Sequence, residues 1–225
     1  PNALGQAISI DQLPAGEDIV MRDIDIIALS TGLRMLSCAG RILLDDVRGT
    51  GLTTTLIRDC DQIVMINGNI LTGLVIEDSN VSFSETTFAR VSSVAGAPAL
   101  AVTDSELWFS RCTITGGAAP LLGNTPGPAI LMNNSTVILT GDGSGTISAG
   151  GGNALPAEAI QGNGTVLLDP GVSVVPYGAA APIAATITVL STDIPSVATQ
   201  GAALGGTANV SMAADAGNSV SYTHL

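Results

Sequence analysis

The chain has no lysine, one histidine (His224) and only 3% aromatic residues. Seven arginines stand against 19 acids, for a formal net charge of −12. A surface of that sign repels phosphate backbones, so a nucleic-acid partner is not expected, and anionic membrane surfaces are disfavoured for the same reason. Three cysteines are present, Cys38, Cys60 and Cys112. None forms a CxxC pair, which removes zinc-ribbon and thioredoxin-type motifs. No apolar run reaches the ~18 residues of a membrane span. Amphipathic helical periodicity is missing as well.

Charge is scarce in one half more than the other. All seven arginines lie between Arg22 and Arg111, and residues 112–225 carry five acids and no arginine. The ends are also unusual. The chain starts at Pro1, and Val220–Leu225 looks like a frame translation of a sequencing-adapter end. The expectation is a metagenomic fragment in which residues 220–225 are an artefact.

What the chain does have is a recurring strand unit. GRILL (40–44), DQIVM (61–65), SNVSF (79–83), SELWF (105–109), STVIL (135–139) and GTVLL (164–168) share one pattern. A small or polar residue is followed by any residue, an apolar one, any residue, and an apolar one. The starts are 21, 18, 26, 30 and 29 residues apart. Periods of this size mark stacked repeats. Flanking strands keep a fixed order: ALAVT (99–103), SELWF and CTITG (112–116), then AILMN (129–133), STVIL and GTISA (145–149). Three short strands per coil separated by Gly, Asn or Asp bends predict an all-β parallel β-helix of about seven to eight coils, with longer coils shedding excess residues as corner loops.

Alternation assigns faces. Ile42/Leu44, Ile63/Met65, Val81/Phe83, Leu107/Phe109, Val137/Leu139 and Val166/Leu168 are expected inward. The middle position then forms an outer row of Leu43, Val64, Ser82, Trp108, Ile138 and Leu167, apolar except at Ser82. Leu43, Val64, Trp108, Ile138 and Leu167 are therefore a candidate ligand or partner surface, with the loops at 117–128 and 150–158 expected to cover part of it. Cys38 and Cys60 fall about one coil apart and are expected as stacked buried thiols, because side chains on neighbouring parallel strands suit a disulfide poorly.

With those repeats in place, residues 5–175 resemble the right-handed parallel β-helix superfamily that includes pectate lyases and polygalacturonases. The resemblance rests on repeat pattern and implies the fold and its handedness. It also names chemistry to look for. Polygalacturonase-type sites combine Asn-Thr-Asp, Asp-Asp, Gly-His-Gly and Arg-x-Lys motifs, with paired carboxylates as acid and base. Of these the chain has only Asp45-Asp46. Pectate-lyase-like sites place calcium among aspartates beside an arginine. The nearest match is Arg58, Asp59, Asp61 and Asp78, which admits calcium as a possible ligand, since that ion takes six to eight oxygens; a surface Arg/Asp network is the competing reading. GDGSG (141–145) lacks the Lys-Ser/Thr of a phosphate loop and reads as a corner.

After Val175 the texture changes. Residues 176–219 are expected to form a C-terminal β cap or a truncated β-sandwich module, since repeat stacks need closed ends. The functional expectation is a non-catalytic, exported structural or adhesive scaffold at the cell surface or outside the cell, contacting polysaccharide or another protein chain. Two alternatives stay open: a lyase or hydrolase of acidic polysaccharide, and a sugar-binding module centred on Trp108.

Overall fold

Short β-branched runs broken by single bend residues wind into stacked coils, because each bend turns the chain once and the next run finds the previous coil to pair with. The computed structural model describes residues 8–28, 32–51, 55–90, 96–119, 124–141, 143–152, 155–169, 171–183, 186–191 and 211–212. No helix occurs among them. The first coil holds β1 (Ile8–Asp11) and β2 (Asp18–Ala28), both paired to β3 (Leu33–Gly51). Above it follow β4 (Thr55–Ile66) and β5 (Asn69–Ile70). The next coils are β6 (Leu74–Glu77), β7 (Asn80–Ser84) and β8 (Thr87–Ala89), then β9 (Leu100–Thr103), β10 (Glu106–Ser110) and β11 (Thr113–Thr115). Two strand pairs continue the stack: β12 (Ile130–Thr140) with β13 (Thr146–Ser148), and β14 (Ile160–Leu168) with β15 (Ser173–Val175). Last come β16 (Thr186–Ser191) and the two-residue β17 (Ser211–Met212).

Pairing between coils is parallel throughout, from β1 to β16. The result is a β-solenoid of about six turns. That is slightly fewer than the seven to eight expected; β1 and β2 lie on the two halves of β3 and make one coil together. The parallel ladder also runs past residue 175, since β16 pairs with β14, Thr165 opposite Thr186. β17 meets β16 antiparallel. The rest of the expected cap, 192–210 and 213–219, and the adapter-like 220–225 lie outside the described residues.

The inward ladders fall as expected. One column runs Ile42, Ile63, Val81, Leu107, Val137, Val166, and the next Leu44, Met65, Phe83, Phe109, Leu139, Leu168. All are buried except Leu168, which is partly covered and packs on the same core. Each fully buried aliphatic or aromatic contributes roughly 1.5–3 kcal/mol. The chain's three phenylalanines meet in one cluster: Phe83 stacks on Phe109 with centroids 5.0 Å apart, and Phe88 stands edge-on to Phe83 at 4.9 Å.

The corners explain much of the polar sequence. At one corner Ser37, Asp59, Asp78, Asp104 and Asn134 have φ between 47° and 53°. At the next, Asp23, Asp46, Asn67, Glu85 and Arg111 have φ between 51° and 55°. Asn and Asp are enriched there because they tolerate this left-handed geometry best among residues with a Cβ. The residue after the first corner turns inward: Cys38, Cys60, Ser79, Ser105 and Ser135 are all buried. These hydroxyls satisfy the backbone that each bend frees. Cys60 N–H donates to Ser79 Oγ (3.0 Å), Ser79 N–H to Ser105 Oγ (3.0 Å), and Ser105 N–H to Ser135 Oγ (3.2 Å). Each hydroxyl in turn donates to the carbonyl two residues back, at 2.7 to 2.8 Å. An unmade bond at such a buried site costs about 1–3 kcal/mol. Cys38 and Cys60 occupy the same column in register, both buried and both free thiols.

Candidate functional site

The residues expected to resemble a calcium set are corner residues. Asp59 and Asp78 sit on successive left-handed positions, flanked by the Arg58–Glu77 register pair, so they do stack one coil apart. Arg58 does not face them as a base: its Nε donates to Glu77 Oε2 at 2.5 Å. Asp61 lies in the irregular step where β4 shortens relative to β3, between Cys60 and Gln62. No group of three or more His, Cys, Asp or Glu side chains among the described residues is placed to hold a metal ion. The Asp45-Asp46 pair is split in the same way. Asp45 pairs with Arg22 at 3.6 Å, and Asp46 takes a two-pronged contact from Arg48 at 2.8 and 3.0 Å.

The outer row is real as a register feature. Leu43, Val64, Ser82, Trp108, Ile138 and Leu167 lie side by side on consecutive strands, and Val20 extends it by one coil. It is not uniformly exposed, and this corrects the expectation of one continuous surface. Val20 and Trp108 are 54% and 41% exposed, but Ile138 and Leu167 only 8% and 5%. For Ile138 the indole supplies a reason. Trp108 Nε1–H donates to Thr140 Oγ1 at 3.2 Å, on the next coil and two residues beyond Ile138, so the ring reaches across Ile138. Thr140 Oγ1 donates in turn to the Phe109 carbonyl (3.1 Å), which orients its lone pair toward the indole. Within the described residues of the expected covering loops, several hydrogen bonds join one loop to the other: Gly150 N–H to Gly127 O, Leu155 N–H to Asn124 O, and Ala119 N–H to Gly151 O.

The N-terminal side of Trp108 opens into a groove of about 250 Å³ that crosses β4, β7 and β10. Its floor is Val64 and Ser82, its far wall Trp108. Ser82 forms the dip, because a hydroxymethyl stands where the neighbouring strands carry Val64 and the indole. Gln62, Asn80 and Glu106 line one edge, with Arg41 and Asp61 at its end. Arg41 is held by Asp18 at 2.5 Å. Gln62, Asn80, Ser82 and Glu106 make no side-chain hydrogen bond or ion pair within the described residues. Gln62, Asn80 and Glu106 were missed from sequence, and Ser82 was noted only as the polar exception in the outer row, although the signal was there. Arg41, Gln62, Asn80 and Glu106 all occupy the second position of the repeat unit, which the motif leaves unrestricted. Read down the column rather than along the strand, that position is a run of hydrogen-bonding side chains.

Buried ionisable groups are few. Burial pushes the Cys60 thiol up to about 12 and the Cys112 thiol up to about 11, so both stay protonated and inert. Desolvation lowers the Arg90 pKa, and its Nε is buried without a partner. Glu158 sits below its usual range because Gln161 donates to it at 2.5 Å.

The fold class defined by these coils is the parallel β-solenoid. No family model, no curated protein and no solved structure matches the chain.

Proposed function

We propose that the chain is a non-catalytic scaffold of the right-handed, pectin-lyase-like β-helix kind, exported to the cell exterior or surface and serving a structural or adhesive role. One observation carries this reading. Most of the described ion pairs join one coil to the next: Arg22–Asp45, Arg34–Asp11, Arg41–Asp18, Arg58–Glu77 and Arg111–Glu85, while Arg48–Asp46 lies within a coil. Charge employed in holding coils together is not held in reserve for proton transfer. Right-handed winding is what parallel crossover connections favour. No helix among the described residues is long and apolar enough to cross a membrane.

The test is incubation with polygalacturonate and with a neutral β-glucan, each with calcium or with chelator. The expected outcome is no unsaturated product, no new reducing ends, and a melting temperature indifferent to calcium. Sustained product release overturns the reading. Surface proteolysis of intact producing cells checks the location: protection of the chain until lysis counts against export.

A further inference from the structure

We infer that the groove beside Trp108 is a binding site for an uncharged saccharide, a property beyond the scaffold role and independent of it. Three features converge there. The first is the aromatic wall. Its indole is fixed on the far side by Thr140, whose own hydroxyl is fixed by the Phe109 carbonyl, so the ring is oriented before any ligand arrives. A pre-oriented, partly exposed ring loses little entropy when an apolar sugar face stacks on it.

The second feature is the set of polar side chains around that wall. Gln62, Asn80, Ser82 and Glu106 supply both donors and acceptors and spend none of them on the protein within the described residues. Amide, hydroxyl and carboxylate groups match vicinal hydroxyls, each of which donates and accepts. By contrast, Arg41 at the end of the groove is held by Asp18, and Arg22 pairs with Asp45. The third is the dip at Ser82. A volume of about 250 Å³ is below the range for drug-sized ligands and suits a short stretch of one or two rings.

Charge selects the class of sugar. Arg41 is neutralised by Asp18, while Asp61 and Glu106 remain as carboxylates in the groove of a chain with net charge −12. A uronate would meet repulsion there and a neutral hexose would not.

Trp108 is the chain's single tryptophan, so emission excited selectively at tryptophan reports this groove, apart from the two tyrosines. The protein is titrated with cellotetraose, mannotetraose and maltotetraose, with tetragalacturonate as the acidic comparator. At least one neutral tetrasaccharide is expected to give a saturable emission change, with tetragalacturonate about tenfold weaker or worse. Ser82→Leu keeps the reporter and fills the dip; it is expected to lower affinity about tenfold with the far-ultraviolet circular dichroism unchanged. Trp108→Phe, followed by calorimetry, is expected to weaken the same ligand. Silence toward all three neutral tetrasaccharides up to their solubility limits overturns the inference. So does equal or tighter binding of tetragalacturonate, and so does undiminished binding by a folded Ser82→Leu protein.

Discussion

The coils before Arg111 and those after it share one path of the chain but are fastened differently. In the earlier coils, side chains on the outside join neighbours: Arg41 to Asp18, Arg58 to Glu77, Arg111 to Glu85. In the later coils, where no arginine occurs, close glycine backbone contacts take over, a device the earlier coils use at Gly40 beside the Glu17 carbonyl. Gly117 N–H donates to Ala97 O at 3.0 Å, Gly127 N–H to Gly117 O at 2.8 Å, and Gly150 N–H to Gly127 O at 2.9 Å. A Cβ on Gly127 would collide with the Ala97 carbonyl, and one on Gly150 with the Gly117 carbonyl. The difference shows why a low charge content in the second half does not weaken the fold there. Exposed ion pairs contribute about 0–1 kcal/mol each, so replacing them with close backbone contacts sacrifices little. It does remove tolerance: a surface arginine is replaceable, a stacked glycine is not.

The phenylalanine cluster belongs to the last of the earlier coils, Phe83 and Phe88 from one coil and Phe109 from the next. Phe83→Ala is expected to have the largest effect, about 3–5 kcal/mol of lost stability. Chemical denaturation measures the loss; an unchanged midpoint would mean that the cluster does not hold these coils together. Gly150→Ala tests the later coils. It is expected to cost about 1–3 kcal/mol or more, because a carbonyl on the neighbouring coil must move. An unchanged midpoint would remove the claim that these corners are close-packed. Ser105→Ala sits between the two regions and leaves the Ser79 N–H without its acceptor, an expected loss of about 1–3 kcal/mol.

An alkaline effect is expected at the buried thiol column. Cys60 ionises at 9.0 when unperturbed and at about 12 in the folded chain, so the folded state holds its proton more tightly. This contribution is fully present below pH 9.0 and is lost as pH rises toward about 12. Denaturation midpoints are expected to fall over that window, and less steeply in Cys60→Ala. At the small end, Arg58→Ala should shift stability by about 0–1 kcal/mol, and less at high salt. A loss as large as that of Gly150→Ala would erase the distinction between the two regions.

Much of this was legible in the chain. Alternation within GRILL through GTVLL located the inward ladders correctly, because a buried strand face admits only apolar residues at period two. The coil count was less accurate, since strand runs do not reveal which two share one turn, and β1 and β2 share theirs. The aspartates at 59 and 78 were visible as a column, read either as a calcium set or as a surface network. Sequence shows their spacing; it does not show φ near 50°, and that backbone demand accounts for them. The groove was half legible. Trp108 stood out, but Gln62, Asn80 and Glu106 occupy a position where the repeat tolerates anything.

The sequence by itself determined the winding. Apolar residues at alternate positions, small polar residues at the turn into each coil, and corners that accept left-handed geometry together permit no other economical burial of the chain. Only the tertiary structure decided what the outside does. Whether a middle-row side chain is open to solvent depends on what the adjacent coil places beside it. Trp108 bends over Ile138 because Thr140 lies within reach, and it leaves a groove on its other side because that neighbour is Ser82. Those are contacts between residues 26 to 32 positions apart, brought together by register rather than by local pattern.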